Sequence, residues 1–206
     1  MVETTTMQMI PAKNFQPTCL KHSALLVIDM QHFFCNPQSH AYFPDAQKII
    51  PNIQKLILWY KKHNLPVIYT RYALLHSESP GTMGRWWHDV LYDDHPFSQI
   101  IDELKPEKHD IVLRKTQYSA FFHTSLDHQL QQQKSTAVVI TGVLTHLCCD
   151  TTARDAFMHG YDVFFVTDAT ASDDQQFHTA SILTLSDACA TMITTHEVLK
   201  CTNITK

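Results

Sequence analysis

Residues 24–30 read ALLVIDM, a short and nearly continuous apolar run with Asp29 close to its end. A run of this kind predicts a strand that is covered on both faces of its sheet. Further strands are predicted by five other short segments. They are VIYT at 67–70, residues 110–114, AVVIT at 137–141, VFFV at 163–166 and a last short strand around 191–193.

Helical spacing of apolar residues separates these strands. It predicts one helix from about residue 45 that ends at Asn64, and others at about 124–133, 147–159 and 174–188. Residues 72–96 are expected to be loop-rich, because prolines and glycines interrupt them. Strands alternating with helices predict a three-layer α/β/α fold, Rossmann-like, with a mostly parallel sheet and helices on both faces. Residues 1–20 are expected to form an N-terminal arm and residues 21–206 a single domain.

Composition excludes several classes of protein. Of 206 residues, 44% are hydrophobic and 17% charged, which predicts a folded core and not a disordered chain. A formal charge of −4 argues against nucleic acid and anionic membranes as partners. Without a long apolar run or a signal-peptide pattern, we expect a cytoplasmic protein. Six cysteines without a CxxC pair predict neither a disulfide framework nor a zinc site.

Three chemically useful residues follow predicted strands. Taken alone, Asp29 and Lys115 have commoner explanations, a cap and a solvated strand end, and Cys148 fits a buried helix thiol equally well. The carboxyl ends of parallel strands meet at one edge of the sheet, so the three can converge on one pocket. Together they would supply a proton-transfer partner, a cation and a nucleophile. The position of Cys148 near a helix N-terminus is expected to favour its thiolate.

Four segments carry a family resemblance. They are LLVIDMQHFF at 25–34, VLRKTQYSAFF at 112–122, VITGVLTHLCCDTTARDAFMHGY at 139–161 and VFFVTDAT at 163–170. With them the sequence resembles the isochorismatase-like hydrolases, which include nicotinamidases, N-carbamoylsarcosine amidases and isochorismatases. The resemblance implies a catalytic triad of Asp29, Lys115 and Cys148. It also implies a cis peptide between Val143 and Leu144, and an oxyanion hole formed by the backbone N–H groups of Leu144 and Cys148.

Two departures narrow the expected chemistry. Nicotinamidases carry a metal-binding Asp-x-His segment after the second strand, whereas residues 69–79 read YTRYALLHSES. Nicotinamidase activity, a metal and a cofactor are therefore not expected. Isochorismatases of siderophore and phenazine pathways resemble this chain locally but have glycine at the position of Cys148. A cysteine there favours covalent hydrolysis.

Three functions remain open on these grounds. The first is hydrolysis of a small-molecule amide or carbamoyl C–N bond through a Cys148 thioester. The alternative is vinyl-ether hydrolysis of isochorismate to dihydroxy-dihydrobenzoate and pyruvate, with Asp29 as general acid. A third is a non-catalytic binding or interaction protein on the same fold. The resemblance also implies a homodimer or homotetramer.

Further residues are expected to contact the substrate. The stretch GTMGRWWHDV at 81–90 could close the pocket as an aromatic lid, or pack on the core or a neighbouring subunit. The residues expected to bind substrate are Gln31, Phe34, Arg85, Trp86, Trp87, Tyr118 and Phe122. Structural roles are expected for Cys19, Cys35, Cys149, Cys189 and Cys201.

Overall fold

The computed structural model describes residue 15 and residues 17–201. Most of the expected N-terminal arm, residues 1–14 and 16, lies outside the described residues, as does the side chain of Cys19. The end of the arm belongs to a 3-10 helix, Pro17–His22, that leads into the first strand. None of the described helices is long and apolar enough to cross a membrane.

Among the described residues, six strands form one parallel sheet. Its spatial order is β3-β2-β1-β4-β5-β6, so the strand order reverses beside β1, where β4 pairs with it. The parallel sheet predicted from the apolar runs is therefore confirmed. The strands are β1 Ser23–Ile28, β2 Val67–Tyr72, β3 Ile111–Lys115, β4 Ala137–Val143, β5 Asp162–Ala171 and β6 Thr191–Ile193.

Helices connect the strands. The α-helices are α1 His32–Cys35, α2 Pro44–Lys48, α3 Ile50–Lys62, α4 Gly81–Trp87, α5 Leu126–Gln132, α6 Asp150–Met158, α7 Gln175–Ala188 and α8 Thr195–Lys200. Two 3-10 turns, Pro96–Ser98 and Asp102–Leu104, precede β3. A π-helical turn, Thr145–Cys149, precedes α6.

The sheet is covered on both faces, as a three-layer fold requires. Leu25 and Val27 of β1 belong to one buried cluster, which includes apolar residues of α3 and α8. Leu26 and Ile28 belong to a second cluster with residues of α5, α6 and α7. Successive side chains of a strand point to opposite faces, so one uninterrupted apolar strand supplies both cores.

Some helix predictions need correction. Residues 72–96, expected to be loop-rich, contain α4, which has no buried residue and so gives no apolar pattern to detect. The predicted helix from residue 45 is interrupted at Ile49, which separates α2 from α3. Helix α8 was not predicted, although its capping box of Thr194 and Glu197 is a readable start signal.

Strands β1 and β4 approach closely at Gly142. Gly142 has φ +110°, and a Cβ atom there would lie 2.0 Å from the carbonyl oxygen of Ile28. Glycine is the residue that accepts both this backbone conformation and this contact. The approach brings the segment after β4 next to the residue that follows β1, which is Asp29.

Candidate active site

Asp29 lies directly after β1 at the centre of the sheet. Its backbone has φ +49°, in the left-handed region that aspartate tolerates better than most residues. The side chain is fully buried, and Oδ1 accepts a hydrogen bond of 2.7 Å from the Thr70 hydroxyl. Thr70 lies on the neighbouring strand β2, so the sheet itself orients the carboxylate.

Lys115, the last residue of β3, reaches across β2 to this carboxylate. Its Nζ lies 2.7 Å from Oδ2 of Asp29, and both side chains are 0% exposed. Nζ also donates to the Gln117 carbonyl at 2.9 Å and to Sγ of Cys148 at 3.2 Å. The ammonium therefore bridges the carboxylate and the thiol. Oδ2 of Asp29 is the carboxylate oxygen that this ammonium contacts, and the Cys148 thiol interacts with the same carboxylate.

Cys148 lies in the π-helical turn between β4 and α6 and is 8% exposed. Single π-helical turns are frequent at functional sites. The next thiol, Cys149, is fully buried in the core cluster beside Thr141, which agrees with its expected structural role. The structure thus brings Asp29, Lys115 and Cys148 together, as their positions at strand ends predicted.

Electrostatics keep the resting thiol neutral. Burial raises the pKa of Cys148 from 9.0 to about 12; the Lys115 ammonium lowers it, and the Asp29 carboxylate raises it. Burial thus opposes the thiolate that the position near a helix N-terminus is expected to favour. Burial lowers the pKa of Lys115, but Asp29 and Cys148 together raise it above its ordinary value. The site therefore holds a charged lysine and a protonated thiol.

A cavity of about 510 Å³ opens onto Cys148. That volume falls within the range of small-molecule sites, roughly 300–1,000 Å³. Segments at the carboxyl ends of β1, β2, β3, β4 and β5 all contribute to its wall, as expected for a parallel sheet. Lining residues are Phe33, Phe34, His40, Ala41, Phe43, Tyr72, Met83, Trp87, His88, Asp89, Leu91, Tyr118, Leu144, His146, Leu147, Cys148 and Asp173.

Comparison with known proteins identifies the family. Residues 23–197 match the isochorismatase domain. The chain belongs to the isochorismatase family. It is a hydrolase, as its relatives in this family are.

Two curated relatives and two solved structures illustrate the range of this family. The chain is 36% identical to Nicotinamidase 3 of Arabidopsis thaliana over 84% of this chain and 85% of that protein. It is 33% identical to enterobactin synthase component B of Escherichia coli K12 over 90% of this chain, but spans 64% of that longer protein. A cysteine hydrolase from Pseudomonas syringae pv. phaseolicola has a TM-score of 0.86 at 27% identity, over 94% and 97% of the two chains. N-carbamoylsarcosine amidase from Thermoplasma acidophilum has a TM-score of 0.76 at 28% identity, over 85% and 97%.

Three of the residues expected to contact substrate line the cavity over Cys148. Phe34 follows β1, Tyr118 follows β3, and Trp87 ends α4. The indole Nε1 of Trp87 donates to the Tyr118 hydroxyl at 2.7 Å. This bond joins α4 to the loop after β3, so α4 forms one side of the cavity.

Four expected contacts are corrected by the structure. Gln31 is fully buried, and its amide bonds the backbone of Tyr72 and Ser98, so it joins the end of β2 to the Pro96–Ser98 turn instead of lining the cavity. Trp86 is 73% exposed, because its position one residue before Trp87 turns it to another side of α4.

The other two corrections concern residues on neighbouring surfaces. Arg85 donates to the Thr82 hydroxyl on its own helix and lines an adjoining depression, which shares His88 and Asp89 with the cavity. Phe122 is 48% exposed, packs edge-on against His123 and lines another depression together with Met158.

Several lining residues had no readable signal. His40 and Asp89, for example, are far apart in sequence, yet His40 Nε2 and Asp89 Oδ2 are 2.8 Å apart beside the cavity. His146 lies two residues before the thiol, and its Nδ1 is 2.9 Å from the Ser172 hydroxyl oxygen. Only the return of each loop over the sheet edge places these side chains together.

Two further features concern the backbone beside the cavity and metal binding. The peptide bond between Val143 and Leu144 is cis, and Leu144 lines the cavity. Within the described part of the chain, no group of three or more His, Cys, Asp or Glu residues is arranged to hold a metal ion. His76, in the segment compared with the nicotinamidase metal motif, pairs with Asp94 at 3.1 Å.

Proposed function

We propose that this chain is a cysteine hydrolase that cleaves an amide or carbamoyl C–N bond of a small molecule. One observation carries the proposal: the Cys148 thiol, at the wall of the cavity, contacts a lysine that is ion-paired with Asp29. A thiol, a proton acceptor and a cation in this arrangement are the parts that covalent acyl transfer needs.

The first step is proton transfer from the thiol to Asp29. Oδ1 is held by the Thr70 hydroxyl, and Oδ2, which is paired with Lys115, is the oxygen proposed to take the proton. The Cys148 thiolate would then lie 3.2 Å from the Lys115 ammonium, which stabilises it as the negative charge moves from oxygen to sulfur. Because the resting thiol is neutral, this transfer accompanies substrate binding and attack.

The second step is attack on the substrate carbonyl carbon. A C–S bond forms and the carbonyl π electrons move to oxygen, where the N–H groups of Leu144 and Cys148 are proposed to stabilise the oxyanion. When the C–N bond breaks, Asp29 returns its proton to the departing amine. Water, deprotonated by Asp29, then attacks the thioester and restores the thiol, so protons and electrons balance without a redox partner.

Names of relatives support amide chemistry. Nicotinamidase 3 and N-carbamoylsarcosine amidase are named for hydrolysis of a carboxamide and a carbamoyl group. The absence of an Asp-x-His segment at residues 69–79 argues against metal-dependent nicotinamidase activity. The 36% identity to a nicotinamidase nevertheless supports keeping pyridine carboxamides among the candidate substrates.

Vinyl-ether hydrolysis is the second candidate. Isochorismatase of Bacillus subtilis is 32% identical over 86% of this chain and 57% of that protein, and the Asp29–Lys115 pair could protonate such an ether without a thiol. This alternative predicts release of pyruvate from isochorismate, loss of activity in Asp29→Asn and tolerance of Cys148→Gly. A binding protein without catalysis, the third candidate, would bind a ligand and never consume it.

A screen of amides, carbamoyl compounds and isochorismate tests these candidates. Cys148→Ala should abolish amide turnover, and mass spectrometry of the unmodified enzyme with a slow substrate should find the acyl group on Cys148. The matched control is Cys149→Ala, which removes the adjacent buried thiol from the core and should keep turnover. Amide hydrolysis that persists in Cys148→Ala contradicts the covalent mechanism.

A further inference from the structure

His146 lines the cavity over Cys148 and lies in the same π-helical turn, two residues before the thiol. Its Nδ1 is 2.9 Å from the hydroxyl oxygen of Ser172, a buried residue directly after β5. The imidazole also packs against the ring of Phe177 in α7, with 4.7 Å between the ring centroids. These two contacts fix the orientation of the imidazole from the side of β5 and α7.

The second ring nitrogen of His146, Nε2, is not used in the packing of the protein. It has no hydrogen-bond partner in the part of the chain that the structure describes, and it is not fully buried, so water can reach it. Burial lowers the pKa of the imidazole below its ordinary value, although Asp173, Asp150 and Asp174 raise it. A neutral imidazole that donates its Nδ1 proton to Ser172 carries a lone pair on Nε2. His146 thus offers a hydrogen-bond acceptor beside the thiol.

The second half of the proposed reaction needs a water on the cavity side of the thioester. Asp29 and Lys115 are both 0% exposed and do not line the cavity, so they approach Cys148 from inside the protein. A side chain of the cavity wall is therefore needed to hold the water while Asp29 takes its proton. His40, another imidazole of the wall, already has its Nε2 paired with Asp89 at 2.8 Å.

We propose that His146 is a further catalytic residue, which holds the water that hydrolyses the thioester on Cys148. The inference rests on the proposed hydrolase function and adds a residue to its second half. Nε2 accepts a hydrogen bond from the O–H that stays on the attacking oxygen, while Asp29 takes the other proton. The C–O bond forms, the C–S bond breaks, and Asp29 passes its proton to sulfur, so His146 neither gains nor loses a proton.

The probe is 4-nitrophenyl acetate, an activated ester that separates the two halves of the reaction. Acetylation of Cys148 releases a burst of 4-nitrophenolate, and hydrolysis of the acetyl thioester sets the steady-state rate that follows. Intact-protein mass spectrometry detects the acetyl group. Cys148→Ala supplies the background for both measurements.

Two substitutions of His146 distinguish its two nitrogens. His146→Asn keeps a polar atom near the position of Nδ1, facing Ser172, and removes the one at Nε2. The burst should change little, whereas the steady-state rate should fall about tenfold or more, as loss of one hydrogen bond to the attacking water predicts. His146→Gln places its amide near the position of Nε2 and should recover most of the lost rate.

Hydroxylamine distinguishes loss of the held water from damage to the site. As a strong nucleophile it attacks a thioester directly, so it depends less on a held water. Added hydroxylamine should raise the turnover of His146→Asn close to that of the unmodified protein. A distorted turn would instead slow hydrolysis and the reaction with hydroxylamine alike.

His178→Asn is the matched control for the π-helical turn. Nδ1 of His178 lies 2.9 Å from the hydroxyl oxygen of Thr145 in that turn, but His178 does not line the cavity. Loss of this contact should change the burst and the steady-state rate by the same factor.

The outcomes separate this inference from the proposed function. Acetylation of Cys148 with an unchanged steady-state rate in His146→Asn would keep the hydrolase and overturn the role of His146. An equal loss in burst and steady state that hydroxylamine does not restore, or a selective steady-state loss of the same size in His178→Asn, would overturn it as well. No acetylation of Cys148 in the unmodified protein would refute the covalent hydrolase itself, and this inference with it.

Discussion

Replacing Lys115 by methionine would leave the Asp29 carboxylate buried without its cation. Nζ of Lys115 contacts Oδ2 of Asp29 at 2.7 Å, Sγ of Cys148 at 3.2 Å and the Gln117 carbonyl at 2.9 Å. Methionine fills most of the same volume without a charge or a donor. The substitution therefore tests the ion pair with little change in packing.

The expected cost follows from burial. Both partners are 0% exposed, and removing one partner of a buried ion pair destabilises a protein by about 3–5 kcal/mol. Because the total free energy of unfolding of a protein is about 5–15 kcal/mol, the variant should still fold but be markedly less stable. The double variant Asp29→Asn/Lys115→Met removes both charges and should recover about 2 kcal/mol of that loss, as expected for directly coupled residues.

Urea unfolding followed by tryptophan fluorescence measures these free energies. Amide turnover should be lost in the single and in the double variant, since neither retains a complete triad. Stability and activity thus separate: the double variant regains stability but no turnover. A single variant that costs less than about 1 kcal/mol, or a double variant no more stable than the single one, would refute a buried, charged pair.

Further predictions address the backbone, the carboxylate and the thiol. Gly142→Ala places a Cβ 2.0 Å from a carbonyl oxygen and should lower stability by at least about 3 kcal/mol. Gly160 has φ +88°, but nothing would lie within 4 Å of a Cβ atom there, so Gly160→Ala should lower the free energy of unfolding by about 1 kcal/mol in the same urea titration. Equal losses in the two variants would contradict the close contact at Gly142. Thr70→Val removes the 2.7 Å hydrogen bond to the Asp29 carboxylate and should lower kcat about tenfold or more, whereas Thr70→Ser keeps the hydroxyl and should restore kcat. An unchanged kcat in Thr70→Val would show that Thr70 does not position the carboxylate. Alkylation of Cys148 by iodoacetamide should be slow at neutral pH and accelerate about tenfold per pH unit from pH 9 to 11, because a pKa raised to about 12 keeps the thiol protonated below that value. A plateau in that rate below pH 8, with Cys148→Ala as the background, would show a thiolate at rest.

The strands and the strand-end residues were readable because their cause is local. ALLVIDM at 24–30 and AVVIT at 137–141 are apolar without interruption, which suits a central strand that packs on both faces. In a parallel sheet the carboxyl ends share one edge, so residues at the ends of β1, β3 and β4 meet there. Asp29, Lys115 and Cys148 could therefore be grouped before any distance was known.

Contacts across the cavity depend on long-range packing. Gln31 stands two residues after Asp29, yet its amide bonds the backbone at the end of β2 and in the Pro96–Ser98 turn instead of lining the cavity. Trp86 and Trp87 are adjacent and of the same residue type, and only the way α4 packs in the fold turns Trp87 towards Tyr118. His40 and Asp89 meet because two separate loops return over the same edge.

The pKa of Cys148 also depends on the tertiary structure. Its position near a helix N-terminus predicts a thiolate, whereas burial in the folded chain raises the pKa of the thiol. The sequence by itself thus determined the order of the strands along the chain and the identity of the reactive groups, because both follow from local apolar pattern and chain position. The shape, charge and desolvation of the cavity required the folded chain, since each depends on segments that come together only when the sheet edge is covered.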